Sequence, residues 1–239
     1  MRDYLLENPW LYERLFQNNA TDCLAFFEEI PGRMPASILD IGCGTGRDLF
    51  EISQRCPGCV GIDFLPDLIA YAQKNYPTVA FQVGDMHTLR LGCYFDAILA
   101  LGASLNYALT NEALDRVMST YRAHAKPGTL LLLQPLNTCS FMGELNYPST
   151  LEVTHEGKTA LARITYEIDK PRQLLTRHRD WELTPCGTKF QDSFQLRMIF
   201  PMELCHLLSH HGFEVVAMKE VGAGKAGGGS LYVAAVFRG

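Results

Sequence analysis

Between Ser37 and Arg47 the chain reads Ser-Ile-Leu-Asp-Ile-Gly-Cys-Gly-Thr-Gly-Arg. Glycines alternate at Gly42, Gly44 and Gly46, directly after the apolar run Ile38, Leu39 and Ile41, which Asp40 interrupts. A loop of this kind presents backbone N–H groups to a ligand, because glycine accepts backbone angles and close approaches that a side chain forbids. Two more acids stand where later apolar runs end, Asp63 after Cys59-Val-Gly-Ile and Asp85 after Val79-Ala-Phe-Gln-Val-Gly. The two oxygens of a carboxylate can accept from the paired hydroxyls of a ribose, and Asp63 has the position for it. Its alternative use is to cap the helix that begins near Pro66. Phe64, next in the chain, suits a purine face. Tyr12, Asn106 and Tyr107 are the side chains able to position an acceptor or relay a proton. His124 reads as a surface histidine at a helix end, and His210 and His211 carry no metal-ligand spacing.

The spacing narrows the ligand. A dinucleotide loop needs Gly-x-Gly-x-x-Gly, and Arg47 stands where its third glycine belongs; the Gly-Lys-Ser/Thr ending of a phosphate-gripping loop is absent. The stretch instead resembles motif I of the class I S-adenosylmethionine (SAM) methyltransferases, acid-x-Gly-x-Gly-x-Gly, filled by Asp40, Gly42, Gly44 and Gly46.

That resemblance implies SAM as cofactor and S-adenosylhomocysteine as product, with no metal. It places Asp40, Gly42, Cys43 and Gly44 in the cofactor loop and Asp63 and Phe64 at the ribose and purine. Asp85 would accept from the adenine amino group, Met86 would cover the ring, and the backbone of Leu101 and Gly102 would face the amino-acid part. In relatives an N-terminal helical segment often closes over the cofactor, and Tyr12-Glu-Arg-Leu-Phe16 is similar to the tyrosine-containing segment of many small-molecule members. Lys126-Pro127-Gly128 matches the family turn before the fifth strand. The whole chain is most similar to small-molecule methyltransferases, including N-methyltransferases of amino sugars and other secondary metabolites. The carriers are the tyrosine segment, Leu101-Gly-Ala-Ser-Leu-Asn-Tyr107, the inserted strands and a glycine-rich final hairpin. The Asn/Asp-Pro-Pro-Tyr/Phe signature of adenine and glutamine methyltransferases is absent, as are the clustered carboxylates of a magnesium-dependent catechol enzyme. The rival readings are O-methylation of a small metabolite, a non-catalytic SAM-binding regulator, and a nicotinamide-dependent oxidoreductase.

The elements that must hold these residues follow from periodicity. Apolar residues recur at helical spacing through the first thirty positions, with Pro9 as a break, Thr21 or Asp22 as a cap and Pro31-Gly32 as the stop. Helices are expected at 46–55, Leu68–Ala72 and 111–125, alternating with strands at Cys59–Asp63, Val79–Met86, Phe95–Gly102 and Thr129–Leu133. Residues 136–199 switch to period-two alternation, with strands at Leu151–His155, Ala160–Ile168, Leu174–Leu183 and Phe190–Ile199 separated by turn residues. A helix starting at Pro201 and ending at Gly212 leads to a strand pair, Glu214–Val221 and Leu231–Phe237, around the Gly222–Gly229 loop.

The expected fold is therefore α/β: a Rossmann-like seven-stranded methyltransferase sheet with a reversed last strand, a helical lid and inserted antiparallel strands. The divisions are a lid (1–32), a SAM-binding core (33–135), an inserted β cap (136–199) and a C-terminal helix and strand pair (200–239). Tyr147, Tyr166, Arg177 and Trp181 on the cap are candidates to line an acceptor cavity, with alternation sending some of them outward.

Composition sets the outer limits. At 239 residues, 47% hydrophobic and 20% charged, the chain suits a soluble globular domain plus an insertion. A net charge of −5 without a lysine or arginine cluster argues against nucleic acid as partner, and no apolar run approaches a membrane span. The N-terminus lacks the basic-then-apolar build of a signal peptide, so a cytoplasmic protein with reduced thiols is expected. Cys56 and Cys59 form a Cys-x-x-Cys without the second pair that a zinc ribbon needs, and read as thiols in a turn. The expected partner is a small-molecule acceptor, and the expected state a monomer or homodimer.

Overall fold

Ile38, Leu39 and Ile41 are fully or almost fully buried because β1 (Ser37–Ile41) runs through the middle of a sheet covered on both faces. The computed structural model describes residues 4–16, 18–30, 32–141, 149–221 and 230–239. After the helices α1 (Pro9–Leu15) and α2 (Ala20–Glu29), strands and helices alternate from β1 onward. They are α3 (Arg47–Ser53), β2 (Gly58–Asp63), α4 (Pro66–Asn75), β3 (Ala80–Val83), β4 (Phe95–Ala100), α5 (Asn111–Ala123) and β5 (Ala125–Leu133). The cap strands β6 (Thr150–His155), β7 (Lys158–Asp169), β8 (Leu174–Thr184) and β9 (Thr188–Arg197) follow, then α6 (Pro201–His210), β10 (Phe213–Val221) and β11 (Ser230–Phe237).

The seven-stranded sheet has the order β10-β11-β5-β4-β1-β2-β3. β1 pairs in parallel with both β2 and β4, so the strand order reverses direction between β1 and β4. Open α/β sheets bind ligands in the crevice beyond the strand ends at such a point. β11 runs antiparallel to β5 and to β10, the reversed strand that the sequence resemblance implies. Side chains alternate across the sheet, and each face has its own core. One packs Leu39, Ile98, Leu131 and Val233 under α5 and α6; the other packs Ile38, Ala97 and Leu132 under α2, α3 and α4. Each large apolar side chain so buried contributes about 1.5–3 kcal/mol.

β5 begins earlier than the periodicity indicates, taking in Lys126-Pro127-Gly128. Its register against β4 jumps from Phe95–Ala125 to Ala97–Leu130, which absorbs the turn as an irregularity in the ladder. α2 is not capped by Thr21 or Asp22. Those residues lie inside the helix, and Asn18 takes the Ala20 N–H at 2.7 Å.

His124 corrects the reading of a surface histidine. It is fully buried, Nδ1 bonding the Thr120 carbonyl at 2.8 Å and Nε2 accepting the Leu91 N–H at 2.9 Å. Burial lowers its pKa from the usual value of 6.5, outweighing the bond to Thr120. Folding thus favours the neutral ring, so the unfolded chain binds the extra proton first as pH falls. The stability that the neutral ring supports is present above pH 6.5 and is lost progressively below it. Urea midpoints measured from pH 7.5 to 5.5 are expected to fall, and His124→Gln to flatten that part of the slope; an equal slope in both proteins would clear His124 of the effect.

The cap is a separate antiparallel sheet in the order β6-β7-β8-β9. Its inner face holds a buried ion pair, Arg179 Nε to Asp192 Oδ1 at 2.8 Å and Nη2 to Oδ2 at 2.5 Å, between register partners on β8 and β9. The N-terminal segment lies against this face: the Tyr4 N–H donates to Asp192 at 2.6 Å, and Leu5 and Leu11 pack on Ala160, Ala162 and Trp181. Trp181 is therefore core between lid and cap rather than cavity lining.

Candidate active site

The crevice beyond β1 and β4 holds two cavities, of about 490 and 540 Å³, that share Tyr12, Gly42, Gly44, Gly102, Tyr107 and Phe194 as walls. They form one bipartite space with a junction at the glycine loop. The first runs under the cap, past Asp40, Arg47, Arg177 and Asn137. The second runs along the ends of β2 and β3, past Asp63, Phe64, Asp85 and Met86.

The loop geometry explains two of the glycines. A Cβ on Gly42 would sit 2.6 Å from Ser104 Cβ, so this position admits no side chain without moving the 104–107 turn. Gly44, at φ +56°, has no atom of any residue beyond its chain neighbours within 4 Å of where its Cβ would stand. That space opens into both cavities. Gly44's N–H donates to Asp63 Oδ2 at 2.9 Å, and Asp63 Oδ1 takes the Leu65 N–H at 2.9 Å. Burial raises the Asp63 pKa against these N–H bonds, which hold it down.

Asp40 lies beneath the loop, almost wholly buried, with Oδ1 unpaired. Burial, followed by the Asp48 and Asp63 charges, pushes its pKa well above the carboxylate range. An unpaired buried carboxylate at a cavity wall is a receptive place for a ligand's cation or donor. Asp85 has the opposite character. Burial raises its pKa, but the His87 N–H and the ring Nδ1, both on Oδ1 at 2.8 and 2.7 Å, prevail, and the pKa is lowered. It follows β3 by two residues rather than closing the strand.

Tyr12 and Tyr107 stand at the junction, the Tyr12 hydroxyl 3.3 Å from the Cβ position of Gly102. Leu101 and Gly102 also border both cavities. The Gly102 N–H is already engaged, donating to Gln134 Oε1 at 2.7 Å. Asn106 must be taken off the list of proton-handling residues. It is fully buried, its Nδ2 donating to the Arg197 carbonyl at 2.7 Å and its Oδ1 accepting the Leu136 N–H at 2.8 Å. Both ends of the amide are spent tying the turn after β4 to the cap. Of the four cap candidates, Arg177 lines the first cavity, Tyr166 lies behind it with the guanidinium 5.4 Å over its ring, and Tyr147 lies outside the described residues, as does the Gly222–Gly229 loop.

Sequence reasoning missed the clasp on the lid. Arg47 Nη1 donates to the carbonyls of Glu13 at 2.6 Å and Phe16 at 3.1 Å, holding the end of α1 over the glycine loop. The Glu13 carboxylate accepts from the hydroxyls of Tyr71 on α4 at 3.1 Å and of Tyr76, just past the end of that helix, at 3.0 Å. The departure from glycine at position 47 was the visible signal; its partners are 31 and 34 residues away and carry no motif. Cys56 and Cys59 are buried free thiols, Cys56 in the turn before β2 and Cys59 within the strand, and among the described residues no group of three or more metal-ligating side chains occurs. Among the same residues, no helix is long and apolar enough to cross a membrane.

Residues 38–128 match the family described as a methyltransferase domain. The chain is 27% identical over 171 residues to a dTDP-3-amino-3,4,6-trideoxy-alpha-D-glucopyranose N,N-dimethyltransferase of Streptomyces venezuelae, covering 69% of this chain and 71% of that protein. It is 24% identical over 196 residues to a dTDP-3-amino-3,6-dideoxy-alpha-D-glucopyranose N,N-dimethyltransferase of Streptomyces fradiae, with 74% and 77% covered. Among solved structures, a SAM-bound amino pentose methyltransferase of Micromonospora echinaspora, involved in calicheamicin biosynthesis, superposes with a TM-score of 0.79 at 25% identity, covering 99% of this chain and 98% of that one.

Proposed function

The chain is a class I SAM-dependent methyltransferase, and on that premise we propose that it transfers the methyl group by in-line displacement to the nitrogen of a small amino sugar. The observation that carries the reading is the bipartite space. One arm is walled by Asp63 and Asp85, carboxylates suited to a ribose and an adenine; the other, with Asp40 at its wall, is roofed by the cap; and the two meet at Gly44 and Tyr12. The similarity to N,N-dimethyltransferases of amino sugars supports nitrogen as acceptor atom and two successive transfers.

The residues present fit SAM. Gly44 leaves open the room that a cofactor needs, and the orphaned Asp40 oxygen leaves an unpaired hydrogen-bonding atom for a polar group of the cofactor. Bound there, SAM supplies an electrophilic methyl on a sulfonium. The protein's contribution is alignment and dryness, since a water-poor site favours dispersal of the sulfonium charge. Asp63 holds the loop shut through Gly44 while keeping lone pairs for hydroxyls. Tyr12 and Tyr107 border the junction, where they orient the amine, and the clasp of Arg47, Tyr71 and Tyr76 keeps the lid over it. An uncharged amine attacks without a strong base, so its proton leaves afterwards through a tyrosine or water. The same reading places the enzyme in the cytoplasm, as a monomer or homodimer.

The test incubates the protein with labelled SAM and pools of nucleotide-linked amino sugars, peptides and RNA, and identifies the labelled product by mass spectrometry. Label on an amino-sugar nitrogen is expected. Label confined to peptide or RNA overturns the acceptor class, label on a hydroxyl overturns the nitrogen, and SAM binding without turnover on any pool leaves a non-catalytic binder. Asp63→Ala is expected to weaken SAM binding by about 1–3 kcal/mol, the cost of leaving buried donors unpaired. Unchanged affinity in calorimetry would remove Asp63 from the site.

A further inference from the structure

We propose that His87 is a positioning residue for the cofactor: its ring turns the Asp85 carboxylate so that one oxygen reads the exocyclic amino group of adenine. This deepens the methyltransferase reading above and rests on it. Asp85 stands two residues past β3, in a tight turn whose Thr88 and Leu89 N–H groups both donate to its carbonyl, at 3.0 and 2.9 Å. The turn brings His87 back onto the Asp85 side chain. An aspartate in such a turn accepts the N–H two residues on, whatever side chain follows it. The histidine adds a second donor, because its ring Nδ1 lies 2.7 Å from the same Oδ1 that takes its N–H at 2.8 Å.

An ionised carboxylate only accepts, so Nδ1 carries the proton of this bond. An oxygen has two lone pairs, and both of those on Oδ1 are thereby occupied. Among the described residues no donor bonds to Oδ2, and the Arg116 charge on α5 acts on the carboxylate without a hydrogen bond. Asp63 differs, since backbone N–H groups hold both of its oxygens. Asp85 and His87 line the same cavity as Asp63, and both side chains are partly exposed. Two donors on one oxygen restrain the carboxylate from rotating and hold the bare oxygen ready for a ligand's N–H, so less ordering remains to be done on binding. The ring is the part of this device that only residue 87 supplies.

Calorimetry on the full chain tests this with two ligands, S-adenosylhomocysteine and its analogue with hydrogen in place of the adenine amino group. Wild type is expected to bind the analogue about tenfold or more weakly, the worth of a hydrogen bond to a charged group. His87→Ala is expected to lose about threefold to tenfold for S-adenosylhomocysteine and to bind the analogue within about twofold of wild type, so the discrimination shrinks. His87→Asn places an amide N–H near the position of Nδ1 and should restore most of the discrimination. His87→Gln, whose amide lies nearer the position of Nε2, should not. Thermal melts report whether each variant folds; if His87→Ala does not, the comparison of His87→Asn with His87→Gln carries the test. Three results overturn the proposal: equal weakening of both ligands in His87→Ala, which would make the residue purely structural; full discrimination kept in His87→Ala and His87→Gln; or no discrimination by wild type. No binding of either ligand to wild type would instead sink the methyltransferase reading itself.

Discussion

Gly44→Val is expected to abolish binding of SAM and S-adenosylhomocysteine, weakening it by at least about a hundredfold, or roughly 2.8 kcal/mol. Two physical effects converge at this position. Its φ of +56° is strained for an L residue, by about 1–2 kcal/mol, and more for a β-branched side chain. Independently, the site of its missing Cβ faces open cavity, with no atom beyond its chain neighbours within 4 Å, so a side chain there displaces ligand rather than protein. Gly44→Asn separates the two, because asparagine tolerates the left-handed conformation and still fills the space. Thermal unfolding of Gly44→Asn should stay close to wild type while its SAM affinity collapses. Wild-type affinity in Gly44→Asn would show that the loop's glycine serves the backbone alone.

Asp192→Ala is expected to cost about 3–5 kcal/mol of stability, the consequence of leaving the Arg179 charge buried without its partner. The side chains of both residues are 0–1% exposed, so water cannot substitute for the lost carboxylate. Asp192 also accepts the Tyr4 N–H, so the lid should loosen from the cap in the same variant. In a domain of this size each kcal/mol moves the melting temperature by about 2–4 °C. The double variant Arg179→Met with Asp192→Leu, which removes both charges and fills similar volume, should recover much of the loss. A melting temperature for Asp192→Ala within a degree or so of wild type would mean that the pair contributes no net stability.

Local chemistry made the core legible. β1, the glycine loop, the acids at Asp63 and Asp85, and the sequence of alternating strands and helices are all written in short runs, because burial on both faces demands continuous apolar strands and a close-approach turn demands glycine. The cap was legible for the same reason, its period of two marking strands between residues 151 and 199, where the structure has them between 150 and 197. What the cap faces was not legible, since alternation states which residues share a side and says nothing of what lies against it. Trp181 therefore went to the lid interface and Arg177 to the cavity, although they lie on the same face of one strand. Asn106 and His124 show the same limit. Each has a side chain able to do chemistry, and each is consumed by backbone groups, of Arg197 and Leu136 for the one and Leu91 and Thr120 for the other. Arg47 is the converse: its place in the motif broke a rule, and only the fold revealed the carbonyls of Glu13 and Phe16 that it holds. The sequence by itself determined the sheet, the loop and the carboxylates at or just past the strand ends, because those depend on neighbours within a few residues. The lid clasp and the buried ion pair depend on partners 13 to 188 positions apart, the choice between strut and site residue on partners equally remote in the main, and only the tertiary structure decided them.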